Sequence, residues 1–196
     1  MNGAYRSVAV LGAGAWGTAL AQVAAAAGRE VTLWAREPEV VEGVNSAHEN
    51  PLFLPGIALN AKVGATGSIE KAAKADLILA VPPAQHMRAV LRSLRPHLKP
   101  GAPLVLCAKG VERGSLALMT DVLAEEIPEV IPAVLSGPGF AMDVARGLST
   151  ATTIASPDPE LAQRIVATIG LPTFRPYFAD DLIGTEIGGA VKNVIA

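Results

Sequence analysis

The amino-acid sequence predicts an α/β fold, with a doubly wound, mostly parallel sheet followed by the start of a helical second domain. Short apolar runs rich in Val, Ile and Leu alternate with longer Ala-rich stretches, as strands connected by helices do. The apolar runs are continuous instead of alternating with polar residues, which is typical of strands buried on both faces. The 196 residues suffice for one sizeable hydrophobic core.

These runs predict the elements in order. We predict strands at residues 7–12, 30–35, 61–65, 76–82, 103–109, 132–137, 151–156 and 173–178. We predict helices at 15–28, 83–98 and 115–127, where apolar residues recur with helical spacing, and a further helix from Pro159 with Asp158 as its N-cap. Residues 43–60 lack periodicity and are predicted to form a loop.

Composition and charge exclude several classes of protein. With 16 basic residues, 18 acidic residues and no basic run, we expect neither a nucleic-acid partner nor stable membrane association. The first apolar run is too short to span a membrane and leads into a glycine turn, so we expect a cytoplasmic protein. The lone cysteine, Cys107, is predicted to be a buried core residue. The three histidines show no ligand spacing, and we predict no metal site.

A glycine-rich turn follows the first predicted strand. Gly12, Gly14 and Gly17 in "VAVLGAGAWGTALA" have the G-x-G-x-x-G spacing at the mouth of a helix. The first glycine permits a tight turn, the second lets a pyrophosphate approach the backbone, and the third lets helix and strand pack closely. In this strand–turn–helix context the motif predicts a Rossmann-type dinucleotide-binding domain. We assign residues 1–180 to that domain and 181–196 to the first helix of an α-helical second domain.

The end of the second predicted strand distinguishes between the two nicotinamide dinucleotides. An acidic residue about twenty positions after the turn binds the ribose 2′-hydroxyl of NAD. Ala35 takes that place here, and Arg36 follows it. Because a guanidinium binds a 2′-phosphate with charge-assisted hydrogen bonds, NADP(H) is favoured and NAD(H) is the alternative cofactor. An ordinary solvated arginine is the competing interpretation of Arg36.

Further candidates lie at the ends of later predicted strands, because ligands of open α/β sheets bind beyond the carboxyl ends of the strands. Pro82 ends the fourth strand, where it would shape a turn against the cofactor. Lys109 ends the fifth, where it could serve an anionic substrate; a lysine exposed in the following loop is the alternative. Gly137 and Gly139 in "SGPGF" offer backbone N–H groups that suit a phosphate oxygen. Lys192, on an otherwise apolar helical stretch, is by itself more typical of a helix surface than of a working residue.

Taken together, "GAGAWGTALA", "WAR", "NPLFLPG", "AVPPAQ", "AKGVE", "LSGPGFAMDVARGLSTATTIAS" and "EIGGAVKNVIA" closely resemble the NAD(P)H-dependent glycerol-3-phosphate dehydrogenases of bacteria. Members of this family reduce dihydroxyacetone phosphate to sn-glycerol 3-phosphate, a precursor of phospholipids. The resemblance runs in order from residue 7 to residue 196. It implies a small phosphate-bearing substrate, and it leaves a homodimer open for the full-length protein, because family members are often dimers.

The resemblance also assigns roles to individual residues. It makes Lys192 the catalytic lysine, which would give a proton to the oxygen that becomes an alkoxide when hydride reaches the ketone carbon. Lys109, Gly137 and Gly139 would bind the substrate. The residues placed along the cofactor are Gly12, Gly14, Ala15, Trp16, Gly17, Arg36, Phe53, Lys109 and Ala141.

Two residues depart from the family pattern, and one segment is missing. Gly139 replaces the usual Ser or Thr, and Phe53 replaces the commoner Tyr, so two hydroxyl groups that could form hydrogen bonds are absent. Family members continue beyond the lysine into a helical substrate domain, so we expect this chain to bind NADP(H) but to turn over poorly. The alternatives are a dinucleotide-binding module or pseudo-enzyme without catalysis, and a dehydrogenase of the 3-hydroxyacid or UDP-sugar type.

Overall fold

The computed structural model describes residues 3–195, with side-chain surroundings from residue 3 to residue 192. The strands are β1 (Ser7–Leu11), β2 (Glu30–Trp34), β3 (Val63–Thr66), β4 (Leu77–Ala80), β5 (Leu104–Leu106), β6 (Pro132–Ser136), β7 (Thr150–Ala155) and β8 (Phe174–Ala179). The helices are α1 (Ala15–Ala26), α2 (Pro38–Ala47), α3 (Ile69–Ala72), α4 (Ala84–Leu94), α5 (Met119–Glu126), α6 (Ala141–Ala145), α7 (Pro159–Ile169) and α8 (Leu182–Ile195), with a 3₁₀ turn at Arg95–His97. None of these helices combines the length and apolarity that a membrane crossing requires.

All eight strands form one sheet in the order β3-β2-β1-β4-β5-β6-β7-β8. Neighbours are parallel except β6 and β7, which pair antiparallel, so the predicted mostly parallel α/β fold is confirmed. The strand order reverses between β1 and β4, which pair directly. In sheets of this kind the crevice at the reversal, beyond the carboxyl ends of the strands, is where ligands bind.

Successive residues of the central strands contribute to different faces of the sheet. Val8 and Val10 of β1 belong to a core shared with α1 and α7, whereas Ala9 and Leu11 belong to a core shared with α4 and α5. All four residues are completely buried. This double burial explains why β1 is continuously apolar, as the sequence indicated.

Two predicted segments differ from the structure. The predicted loop at 43–60 is wrong in its first part, because α2 continues to Ala47 and ends at His48, whose φ of 51° is left-handed. The predicted helix at 115–127 begins later, at Met119, because Leu116 has a left-handed φ of 60° and cannot continue a helix. The predicted cap is confirmed: Asp158 accepts hydrogen bonds from the N–H groups of two residues in the first turn of α7.

The antiparallel strand β7 determines the direction of α8. Ala155 in β7 pairs with Ala179 in β8 and lies opposite Val134 in β6, so β8 ends away from the carboxyl end of β6. From there α8 runs back along the sheet. A Cβ on its Gly189 would meet the hydroxyl of Ser136, the last residue of β6. The helix therefore carries its later residues to the crevice. Helix α8 begins two residues after the predicted domain boundary at residue 180. The division of the chain into two domains at this boundary stays a prediction. Residues 1, 2 and 196 lie outside the described part.

Candidate functional site

A cavity of about 370 Å³ lies at the carboxyl ends of the central strands, where the strand order reverses. Its volume is within the range of small-ligand pockets. It brings together most of the predicted site residues, namely Gly12, Gly14, Ala15, Trp16, Gly17, Pro82, Lys109, Gly139, Ala141 and Lys192. Segments far apart in the chain thus meet at one crevice.

The glycine turn, residues 12–17, forms one side of this crevice. Gly12 has a φ of 110°, and a Cβ there would lie 3.0 Å from the backbone nitrogen of Pro82. A Cβ on Gly17 would coincide with the carbonyl oxygen of Gly12. By contrast, a Cβ on Gly14 would meet nothing within 4 Å. Two of the glycines are therefore needed for the chain to pack, whereas the space beside Gly14 is free for a ligand.

The N-terminus of α1 opens onto the same space. Gly14 is its N-cap and has no side chain with which to bind the N–H groups of the first turn. The first turn also contains no acidic residue. These N–H groups and the helix dipole give the turn a partial positive charge, which suits a phosphate.

Asn50 holds the glycine turn from behind, a role that the sequence did not predict. Its side chain is completely buried, and its Nδ2 donates to the carbonyl oxygen of Ala13 at 2.8 Å and to the Thr18 hydroxyl at 2.7 Å. Its Oδ1 accepts the N–H of Phe53 at 3.1 Å. The segment after α2 is thereby joined to the turn. The available signal was the Asn-Pro pair in "ENPLFLPG", which marks a turn but not its partner.

Lys109 lies across the crevice from the turn. Its Nζ is 4.9 Å from the centre of the Trp16 ring, within the range of a cation–π contact. Burial lowers the pKa of Lys109, and the positive charge of Lys192 lowers it further. The indole Nε1 of Trp16 is buried and has no hydrogen-bond partner among the described residues.

Lys192 reaches the crevice from α8. Its Nζ lies 4.2 Å from the centre of the Phe140 ring, which is 61% exposed. Two contacts fix α8 at this point. Gly189 packs against Ser136, and the buried carboxylate of Glu186 accepts hydrogen bonds from Thr120 at the start of α5. Burial raises the pKa of Glu186 above its usual value, and the bonds from Thr120 lower it by less.

Three predicted site residues lie outside the cavity. Arg36 is exposed two residues beyond the end of β2. Phe53 is 41% exposed in the segment after α2. Gly137 packs against β7, where a Cβ would lie 2.9 Å from the hydroxyl of Thr152. Within residues 3–192, His, Cys, Asp and Glu side chains form no group of three that could hold a metal ion.

Comparison with known proteins identifies the family. The family described as NAD-dependent glycerol-3-phosphate dehydrogenase N-terminus matches residues 7–162. This chain belongs to that family. The match spans the glycine turn, Lys109 and the "SGPGF" segment, and it stops before α8.

Individual relatives extend the similarity over the whole chain. An NAD(P)+ glycerol-3-phosphate dehydrogenase of Parvibaculum lavamentivorans is 62% identical over 100% of this chain and 59% of its own length. That of Caulobacter vibrioides is 60% identical over 98% of this chain and 58% of its own length. The crystal structure of glycerol-3-phosphate dehydrogenase from Coxiella burnetii superposes with a TM-score of 0.91 at 33% identity, over 97% of this chain and 58% of that one. The chain therefore spans less than two thirds of these relatives.

Proposed function

We propose that this chain is the cofactor-binding portion of an enzyme that reduces dihydroxyacetone phosphate with NAD(P)H to sn-glycerol 3-phosphate. The observation that carries the proposal is the meeting of two lysines, Lys109 and Lys192, beside a phosphate-suited glycine turn in one crevice. A module that only bound a dinucleotide would have no need for two neighbouring cations beyond the turn. Membership of the glycerol-3-phosphate dehydrogenase family supports the same substrate.

The residues present fit a dinucleotide. Gly12 and Gly17 allow the turn to close, and the space beside Gly14 would accept a pyrophosphate against the first N–H groups of α1. Ala15, Trp16, Pro82 and Ala141 line the same cavity and would contact the remainder of the cofactor. NAD(P)H, when bound, supplies the hydride that reduces a carbonyl carbon.

The two lysines supply the charge and the proton that this reduction requires. Negative charge develops on the carbonyl oxygen, and a proton must reach it. We assign the proton transfer to Lys192 Nζ, which is presented by α8. Lys109 attracts the phosphate-bearing substrate and stabilises its negative charge. Gly137 and Gly139 are proposed to line the substrate, and the structure gives Gly137 an additional packing role against Thr152.

We further propose that NADP(H) is the preferred cofactor and NAD(H) the weaker one. Arg36 is exposed two residues beyond the end of β2 and forms no ion pair within the described part of the chain. Its guanidinium is therefore free to bind a 2′-phosphate. Phe53, also exposed, is proposed to contact the cofactor nearby. The location that we propose is the cytoplasm. A homodimer is the oligomeric state proposed for the full-length protein.

Cofactor titration and turnover test the proposal. NADPH and NADH are titrated into this chain by calorimetry, with Arg36→Gln as the variant and Arg175→Gln as a control on the exposed surface of β8. We expect Arg36→Gln to weaken NADPH binding roughly tenfold, about 1.4 kcal/mol, and to leave NADH binding unchanged. Turnover is measured with the enzyme that contains this chain.

The lysine assignment has its own test. We expect dihydroxyacetone phosphate to drive NADPH oxidation and Lys192→Met to abolish it while NADPH still binds. Substrate-dependent oxidation with 3-oxo acids but not with dihydroxyacetone phosphate would show a different dehydrogenase. NADPH binding without any turnover in the complete enzyme would show a binding module.

A further inference from the structure

Lys109 lies between the completely buried Cys107 and a loop segment, residues 110–118, that is only partly buried or exposed. The segment 107–118, here termed the Lys109 loop, connects β5 to α5 without regular structure. It contains left-handed φ angles at Gly110, Gly114 and Leu116, and the Leu116 side chain is 75% exposed. The charge of Lys192 repels that of Lys109 and acts to move it. Burial of Cys107 and its backbone hydrogen bond to Ala80 hold the start of the loop, so the part after Lys109 needs another interaction to stay in place.

Gln85, in the first turn of α4, binds the backbone of the loop in both directions. Its Nε2 donates to the carbonyl oxygen of Val111 at 2.8 Å, and its Oε1 accepts the N–H of Arg113 at 2.8 Å. The Gln85 amide thus forms hydrogen bonds with the backbone of both residues that flank Glu112. The helix begins immediately after Pro83, which lines the cavity, so the anchor starts at the edge of the site.

Arg88, one turn further along α4, binds the residue between these two contacts. Its Nε and Nη2 donate to the two carboxylate oxygens of Glu112, both at 2.8 Å, in a bidentate pair. The Glu112 side chain is 17% exposed, and it also accepts the Ser115 hydroxyl at 2.7 Å. These bonds lower the pKa of Glu112 to about 2, so Glu112 stays ionised at neutral pH.

Arg88 is itself fixed by α5. Its Nη1 donates to Glu125 at 2.6 Å and to Glu126 at 3.1 Å, and Glu126 also binds Arg92. The loop is thereby fastened to two helices at once. Neither Gln85 nor Arg88 is among the residues that line the cavity.

We propose that Gln85 and Arg88 are positioning residues: they hold the Lys109 loop through Glu112 and so keep the Lys109 ammonium over Trp16 in the crevice. The inference rests on the role proposed above for Lys109. It adds two residues of α4 on which the placement of that lysine depends.

The test uses paired variants of this chain without ligand. Arg88→Gln and Arg92→Gln each remove one cation from α4, but only Arg88 contacts the loop. Gln85→Met changes no charge, and Gln163→Met on the exposed face of α7 is its control. Amide hydrogen exchange of residues 110–118 and an NMR titration of the Lys109 side chain are the two measurements.

We expect Arg88→Gln and Gln85→Met to speed exchange in residues 110–113 by roughly tenfold or more, because the loop loses its anchor. We expect the pKa of Lys109 to rise toward its ordinary value in both, because the ammonium reaches solvent. The two controls should change neither quantity. Because Gln85→Met removes no charge, a raised Lys109 pKa in this variant could not come from the loss of a nearby positive charge.

Unchanged exchange and an unchanged Lys109 titration in folded Gln85→Met would overturn the inference, even where Arg88→Gln fails to fold. Kinetics of the enzyme that contains this chain separate this failure from that of the proposed function. Faster exchange and a raised Lys109 pKa together with normal KM and kcat for dihydroxyacetone phosphate would support the positioning inference and refute the role proposed for Lys109. A raised KM in both variants, absent from both controls, supports the two together.

Discussion

The two sides of the crevice are held by different kinds of interaction. The glycine turn is fixed by steric contact, because Gly12 and Gly17 leave no room for a side chain, and by the buried amide of Asn50. The lysine side, comprising the Lys109 loop and α8, is fixed mainly by carboxylates and their partners, together with the amide of Gln85. The first side offers neutral backbone groups, whereas the second brings two cations together.

This difference has a physical cause. Backbone N–H groups need only a correct chain path to face a phosphate, and glycines supply that path locally. Two lysines repel each other, so the elements that carry them need contacts from elsewhere in the fold. We therefore expect changes of volume to affect mainly the glycine turn and changes of charge or pH to affect mainly the lysine side. Each side also depends on one amide, Asn50 at the turn and Gln85 at the Lys109 loop.

The largest expected effect concerns volume at the turn. Gly17→Ala places a methyl group on the Gly12 carbonyl oxygen and should reduce the free energy of unfolding by about 3 kcal/mol. Gly14→Ala meets no neighbour and should cost at most about 1 kcal/mol, mainly through a poorer N-cap, while NADPH binding weakens. Urea unfolding and calorimetric titration measure the two quantities. Equal stability losses in the two variants would contradict the steric account.

The next effect concerns the amide behind the turn. Asn50→Ala removes three hydrogen bonds of a buried amide, keeps only the 3.2 Å bond from the Thr18 hydroxyl to Ala13, and should cost about 2 kcal/mol of stability. Asn45 makes a similar two-way contact with Ala65, but at an exposed position, so Asn45→Ala is the matched control. We expect the control to cost less and to leave cofactor affinity unchanged, as urea unfolding and NADPH titration will show. A control as costly as Asn50→Ala would mean that burial does not decide the effect.

On the lysine side we expect a smaller effect, in which a substitution raises the stability of the folded state instead of lowering it. The lowered pKa of Lys109 means that its protonated form disfavours the folded state below the folded pKa, and that this cost disappears as pH rises toward 10.5. Lys109→Met should therefore be more stable than the parent chain at pH 7, and the gain should shrink toward pH 10.5. Unfolding midpoints across this range measure it, with Lys71→Met as an exposed control. A loss of stability at pH 7 would show that the contact with Trp16 outweighs the repulsion.

The smallest effect concerns the carboxylate that fixes α8. Because the pKa of Glu186 is raised, its ionisation costs stability: the parent chain should lose stability relative to Glu186→Gln as pH rises above 4.5 through the folded pKa. Glu42→Gln, at an exposed position of α2, serves as the control. Thermal unfolding between pH 4 and pH 8, roughly the range over which a raised glutamate pKa acts, will show the trend. A constant difference across that range would be inconsistent with a buried, ionising carboxylate.

The glycine turn was predictable from sequence because its determinants are local. Its three glycines follow a single apolar strand, and their spacing alone specifies which backbone positions must lack a side chain. The continuously apolar strands likewise predicted a sheet covered on both faces. The role proposed for Lys192 did not follow from its own surroundings in the sequence and required the family resemblance.

The contacts that hold the site were not predictable in the same way. Asn50 lies 37 residues from Ala13, and Arg88 lies 24 residues from Glu112. Neither pair has a repeating pattern along the chain, so only the folded topology brings the partners together. The late start of α5 has a similar cause. The Lys109 loop takes residues that helical spacing assigned to the helix, and its left-handed Leu116 is visible only in the backbone.

The number of residues between two positions of α8 sets the angle between their side chains around the helix axis. Each residue of an α-helix advances its side chain by about 100° and 1.5 Å. Residues three positions apart lie about 60° apart around a helix, so a single rotation of α8 places Glu186 at α5, Gly189 at β6 and Lys192 at the crevice. Inserting a single residue between Glu186 and Gly189 would keep every side chain in the chain yet turn Lys192 by about 100°, away from the crevice. Spacing along this helix therefore constrains the lysine as strictly as its identity does.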